Sequence, residues 1–184
     1  MANEREHIAQ VAAALIIESG IDDWQLARRK AVRQLGLSER TPLPDRVQLE
    51  AALREYASIY LAEEQPALLE ELRGEALEWM EVLADFDPEL TGAVAEGWAY
   101  PGCEIRIELL ADDAKVVEIA LLNRQIDVDH APSKSNASSS PVILESDGES
   151  GPVRLIVQDV GHRRNRKQDR LRMKASELRA LVKK

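Results

Sequence analysis

The 184-residue sequence predicts an α+β protein, a helical N-terminal bundle followed by a mixed sheet with helices on one side. Three observations carry that expectation. Residues 4 to 84 hold four runs with apolar residues at helical spacing, each opened by a capping residue or a proline. Glu104 to Leu109 alternates strictly, with Ile105, Ile107 and Leu109 on one side and Glu104, Arg106 and Glu108 on the other, the period of a half-buried strand. Val142–Leu144 and Val153–Val157 bracket SDGESG, whose Asp147-Gly148 pair signals a turn, so these segments predict a hairpin. The expected domains are residues 1–86, helical, and 87–184, α/β with a basic C-terminal arm.

In chain order, Asn3 caps a helix over Glu4–Ser19 with Ile8, Val11, Ala12, Leu15 and Ile16 on one face, and Gly20 stops it. Asp23 caps a second helix, Trp24–Leu35, stopped by Gly36. After the TPLP turn, Asp45 caps a third from Arg46 to about Ala62, with Val47, Leu49, Ala52, Leu53, Tyr56, Ile59 and Tyr60 at helical spacing. Pro66 suits the first turn of a fourth, to about Ala84, through Leu72, Ala76, Met80 and Leu83. Gly74 inside it costs about 1 kcal/mol relative to Ala, so a bend or a packing reason is expected there. These four form a bundle, or a bundle whose last member leads into the sheet.

Glu89 to Asp113 then reads as two strands joined by a Gly-rich turn, with a helix start after them. Leu90, Ala93 and Val94 make a short apolar strand, and Gly92 and Gly97 let the backbone turn or approach a ligand. Trp98 and Tyr100, in GWAYPG, either stack on a base or plug the sheet edge. Asp112 or Asp113 caps a helix through Leu122 with Val116, Val117, Ile119, Ala120 and Leu121 on its core side, and Ile126–Val128 is a short strand. The Ser-rich segment His130–Pro141 has too little apolar surface to fold; its serines and Lys134 either close over a ligand or form a plain surface loop. GHRRNRKQDRLRMK reads as an exposed arm, and Ser176 caps a closing helix, Glu177–Val182, with Leu178 and Leu181 tucked inward.

Composition excludes several classes. The single cysteine, Cys103, permits no intrachain disulfide, and His7, His130 and His162 show no metal-ligand spacing, so no metal site is expected from them. The apolar run Val11–Ile17 is bounded by acids and is neither a signal peptide nor a membrane span, which points to a cytoplasmic protein with no membrane partner. Charge is uneven: Gly161–Lys184 carries ten Lys or Arg against Asp169 and Glu177, a net +8, which leaves −17 for the first 160 residues of a chain at −9 overall. A concentrated basic tail suits phosphates or an acidic protein partner even on an acidic chain.

The order strand, Gly-rich turn, acidic strand, helix resembles the core of the nucleotidyltransferase fold, the polymerase-beta-like superfamily. The resemblance implies an Asp-x-Asp on the second strand and a third carboxylate on a later one, holding the Mg²⁺ ions that bridge a nucleotide's phosphates. This chain departs from that pattern. The turn is Thr91-Gly92-Ala93, Glu104 holds the first acidic position, Arg106 the second, and Pro152–Val160 offers Arg154 or Gln158 but no acid before Asp159. At about 4 Å and an effective dielectric near 20, each unit charge is worth roughly 4 kcal/mol before relaxation, so Arg106 strongly disfavours Mg²⁺. The expectation is a degenerate, non-catalytic protein, a pseudoenzyme, with Gly92 and Gly97 at the turn and Arg106 and Arg154 contacting a nucleotide or phosphate-bearing partner without metal. The alternative is an active Mg²⁺-dependent transferase with Glu104 and Glu108 as atypical ligands.

A third reading is nucleic-acid binding. Closely spaced first and second helices invite a helix-turn-helix, with Arg28, Arg29, Lys30 and Arg33 on phosphates, and Arg163, Arg164, Arg166 and Lys167 of the arm contacting an RNA backbone. The whole chain also resembles a family of small, largely uncharacterised proteobacterial proteins through IAQVAAALIIESGIDDWQLARRKAVRQLGL and LPDRVQLEAALREY. Some members carry a UDP-N-acetylmuramate–alanine ligase label. This sequence argues against that activity, having no GxxxxGK[ST] or comparable ATP loop and too little length for a multidomain ligase.

Overall fold

A computed structural model describes residues 2–21, 23–131, 140–161 and 171–182. The elements are α1 Ala2–Ser19, α2 Trp24–Gln34, α3 Arg46–Tyr60, α4 Gln65–Val82, a 3-10 turn Ala84–Phe86, β1 Glu89–Thr91, α5 Gly92–Glu96, β2 Ile105–Leu110, α6 Ala114–Leu122, β3 Asp129–His130, β4 Val142–Asp147, β5 Pro152–Gln158, β6 Met173–Lys174 and α7 Ala175–Val182. The protein is α+β, helices first and a mixed six-stranded sheet after them. It divides into two units, residues 1–68 with 98–102, and residues 69–97 with 103–184, and the division falls within α4.

In the first unit the caps of α2 and α3 act as the sequence predicts, whereas α1 begins at Ala2 and takes in Asn3, the residue expected to cap it. The Asp23 carboxylate accepts from the Gln25 and Leu26 N–H groups, and Asp45 with Gln48 forms a reciprocal capping box at α3. Helix α1 packs on α2 and α3 through Ile8, Ala9, Ala12, Ala13 and Ile16 against Ala27, Ala31, Leu49, Ala52, Leu53 and Ala57, all buried. So many alanines let helix axes approach closely while keeping the interior filled. Val47, Ile59 and Tyr60, expected on the apolar face of α3, are exposed instead, because this unit covers only the Leu49–Leu53–Ala57 stripe. Trp98 and Tyr100 are buried in the helical unit, rings 6.3 Å apart, with the Arg54 guanidinium 5.7 Å over Trp98.

In the second unit the strand order is β3-β4-β5-β2-β1-β6, antiparallel except for β2 beside β5. Ile105, Ile107 and Leu109 share a face with Leu90, Leu144, Val153, Leu155 and Val157, all buried. Leu72, Ala76 and Met80 of α4, Val117 and Leu121 of α6, and Leu178 of α7 complete this core. The opposite face carries charge.

Several expectations change. Strand β1 ends at Thr91, and Ala93 and Val94 lie in α5, because Gly92 at φ +76° turns the chain out of the strand. Val116, Ile119 and Leu122 of α6 are 53%, 58% and 65% exposed; a short helix on a sheet buries one stripe, here Val117 and Leu121. Ile126–Val128 is not a strand, and the pairing falls on Asp129–His130. Helix α7 starts at Ala175, opened by the Glu177 carboxylate accepting from the Lys174 N–H rather than by a Ser176 cap, and Leu181 is exposed. The Ser-rich segment 132–139 lies outside the described residues. Among the described residues no helix is long and apolar enough to cross a membrane.

Candidate functional site

Register builds the site. Glu145 of β4 pairs with Arg154 of β5, Arg154 with Arg106 of β2, and Arg106 with Thr91 of β1, so these four positions form one transverse row on the charged face. Adjacent strands lie roughly 4.8 Å apart, which would set two guanidinium groups against each other with nothing between. Glu104, just before β2, separates them. One of its carboxylate oxygens, Oε1, accepts from Arg106 Nη2, and the other, Oε2, is 3.1 Å from Arg154 Nη1. On the far side of Arg154, Glu145 Oε1 accepts from Nε at 3.1 Å and also from Nη2.

The four side chains balance, two acids against two bases. Arg106 is the deepest, its side chain 12% exposed, whereas Arg154 is 35% and Glu145 41% exposed. Partial burial lowers the Arg154 pKa, but the hydrogen bond to Glu145 and the charges of Glu104 and Glu145 outweigh it, leaving Arg154 above the ordinary guanidinium value.

The next row runs Ile143, Ile156, Glu108, Glu89 and Lys174. Glu108 faces Glu89 directly, and Arg172, from the end of the basic stretch, places Nε 3.2 Å from Glu108 Oε2 and 3.9 Å from Glu89 Oε2. The sequence reading placed Arg172 on a solvated arm. The signal that could have found it is the two acids on neighbouring strands, which demand a cation.

Glu104 and Glu108 therefore engage different arginines. Among the described residues no three His, Cys, Asp or Glu side chains form a group able to hold a metal ion. Gly92 opens α5 with the place of a Cβ 3.8 Å from Arg106 Cβ, next to the row. Gly97, at φ +82°, caps the end of α5 beside Arg73, whose Nε donates to the Val94 carbonyl at 3.1 Å. In the helical unit, Arg28 is half-buried and donates through Nη1 to the Pro44 carbonyl at 3.2 Å, while Arg29 and Lys30 are exposed. Arg163, Arg164, Arg166 and Lys167 lie outside the described residues.

No family model matches the chain, and no curated protein does. Among solved structures it is similar to a cytoplasmic RNA terminal U-transferase, at 16% identity and a TM-score of 0.33 over 56% of this chain and 34% of that one. It is also similar to Cid1, a structure described for its RNA terminal uridylyl transferase activity, at 14% identity and a TM-score of 0.34 over 58% of this chain and 36% of that one. The chain spans about a third of the length of these structures.

Proposed function

We propose that this chain is a non-catalytic protein of nucleotidyltransferase-like design that binds the phosphates of a nucleotide, or of a phosphate-bearing partner, through Arg106 and Arg154 without a metal. The observation that carries the reading is the register pair Arg106–Arg154. On the sequence resemblance these two strands are where metal-binding carboxylates belong; here they carry two adjacent guanidinium groups balanced by Glu104 and Glu145, which leaves no excess of negative charge to hold a dication. Arginine forks take phosphate oxygens directly, and each fixed positive charge opposes a dication by roughly 8 kcal/mol at about 4 Å and an effective dielectric near 20, before relaxation. The left-handed Gly92 at the end of β1, the antiparallel β1–β2 pair and β5 parallel to β2 support the comparison with that fold.

Calorimetric titration of the full chain with ATP and the other nucleoside triphosphates, in Mg²⁺ and in chelator, tests this. The expected result is equal affinity in both, weakened about tenfold or more in Arg154→Gln, since a hydrogen bond to a charged group contributes roughly 1.5–3 kcal/mol. Metal-dependent nucleotide turnover that disappears in Glu104→Gln overturns it. So does the absence of binding in both conditions.

A further inference from the structure

We infer that Glu145 is a built-in competitor for the phosphate-binding edge of Arg154, so that a phosphate ligand enters by displacing the Glu145 carboxylate. The inference deepens the proposed function and rests on it. A guanidinium presents Nε–H and one Nη–H along one edge, the fork with which arginine takes two oxygens of a carboxylate or phosphate. In Arg154 that edge is turned to Glu145, Nε and Nη2 both donating to Oε1. The remaining Nη1 is turned to Glu104. A phosphate that takes this two-donor edge must therefore replace the Glu145 carboxylate.

The two acids are not equivalent. Glu104 is held between Arg106 and Arg154, one oxygen to each, so releasing it would leave both guanidinium groups facing each other. Glu145, by contrast, engages Arg154 within this row among the described residues and is the most exposed of the four side chains at 41%. Its carboxylate can swing to solvent at the cost of one partly screened ion pair. Replacement of a single-charged carboxylate by a more highly charged phosphate keeps the Arg154 fork satisfied and leaves the Glu104 bridge in place. Glu145 sets a threshold, because only ligands with enough negative charge at the fork displace it.

The test uses the full chain as wild type and as the two variants Glu145→Gln and Arg154→Gln, titrated in chelator with ATP and separately with inorganic tripolyphosphate. Neutralising Glu145 is expected to tighten both ligands on the order of fivefold, the range of a partly exposed ion pair, while Arg154→Gln weakens both about tenfold or more. Tightening for tripolyphosphate as well as ATP shows that the competition is for phosphate and not for the nucleoside. Binding by wild type that Glu145→Gln leaves equal or weaker, with Arg154→Gln still weakening it about tenfold or more, overturns the competitor role but leaves the proposed function standing. No binding by wild type or by Glu145→Gln overturns both. In the wild-type protein, the ¹H–¹⁵N resonance of Arg154 Nε reports the exchange without any variant. A shift on adding ATP is expected, and an unmoved resonance in an ATP-saturated protein overturns the displacement even if Glu145→Gln fails to fold.

Discussion

Glu89 and Glu108 face each other across β1 and β2, both buried, and Arg172 lies against the two of them. Like charges directly opposite on a sheet repel, so the Arg172 contact ties the C-terminal strand β6, which pairs with β1, to the charge balance of the sheet. Arg172→Met is expected to destabilise the protein by about 2 kcal/mol, below the roughly 3–5 kcal/mol of a fully buried broken pair because the Arg172 side chain is partly exposed. Urea unfolding measures it. The double variant Arg172→Met/Glu108→Gln should recover part of the loss, and strictly additive effects would show that the Arg172–Glu108 contact carries no coupling.

The β4–β5 turn is held by α4. Glu75 accepts from the Glu149 N–H at 2.8 Å through Oε1 and from the Ser150 N–H at 2.7 Å through Oε2. Glu75→Ala removes both acceptors and should cost about 1–2 kcal/mol in thermal or urea unfolding. Gly148→Ala should cost a similar amount for a steric reason, since an added Cβ would lie 2.6 Å from the Gly151 carbonyl oxygen and 2.9 Å from Val153 Cγ2. A neutral Gly148→Ala would mean that the turn is open enough to relax.

Tyr56 donates its hydroxyl hydrogen bond to Glu18, and that bond, with desolvation and the charge of Glu18, pushes the phenol from 10 up to about 12. The folded state thus favours the neutral phenol. Its contribution to stability is fully present below the unfolded pKa near 10 and is lost as pH rises towards 12. Ultraviolet titration of tyrosinate, with Tyr56→Phe as the difference control, reads the value. Glu18→Ala should return it towards 10, and no change would mean that Glu18 does not hold the phenol.

Two glycines should respond in opposite directions. At Gly74, inside α4, nothing lies within 4 Å of an added Cβ, so Gly74→Ala should stabilise by about 1 kcal/mol through helix propensity alone. At Gly97 the neighbouring Arg73 Nη2 is an ordinary 3.5 Å away, but φ is +82°, so Gly97→Ala should cost about 1–2 kcal/mol from backbone strain. Melting temperatures of the two variants moving the same way would contradict this account.

The sequence by itself determined what depends on near neighbours. The caps at Asp23 and Asp45 are contacts spanning a few residues, as is the α6 cap, which the sequence left between Asp112 and Asp113 and the structure places at Asp113; the alternation of Ile105, Ile107 and Leu109 names the buried face of β2 without reference to any partner strand. The α+β class and the β4–β5 hairpin were legible for the same reason. The sheet face that carries Arg106 was legible from strand period, but the neighbours of Arg106 and Arg154 were not. Strand period says which way a side chain points; only register says what stands beside it, and register is set by pairings between distant segments. Tertiary structure therefore decided that Glu104 bridges the two arginines, that Glu145 occupies the outer edge of Arg154, and that Arg172 comes back across 64 residues of sequence to Glu108. It also decided that α6 leaves Val116 and Ile119 in water, because helical spacing marks an apolar residue but not how wide a stripe the sheet beneath can cover.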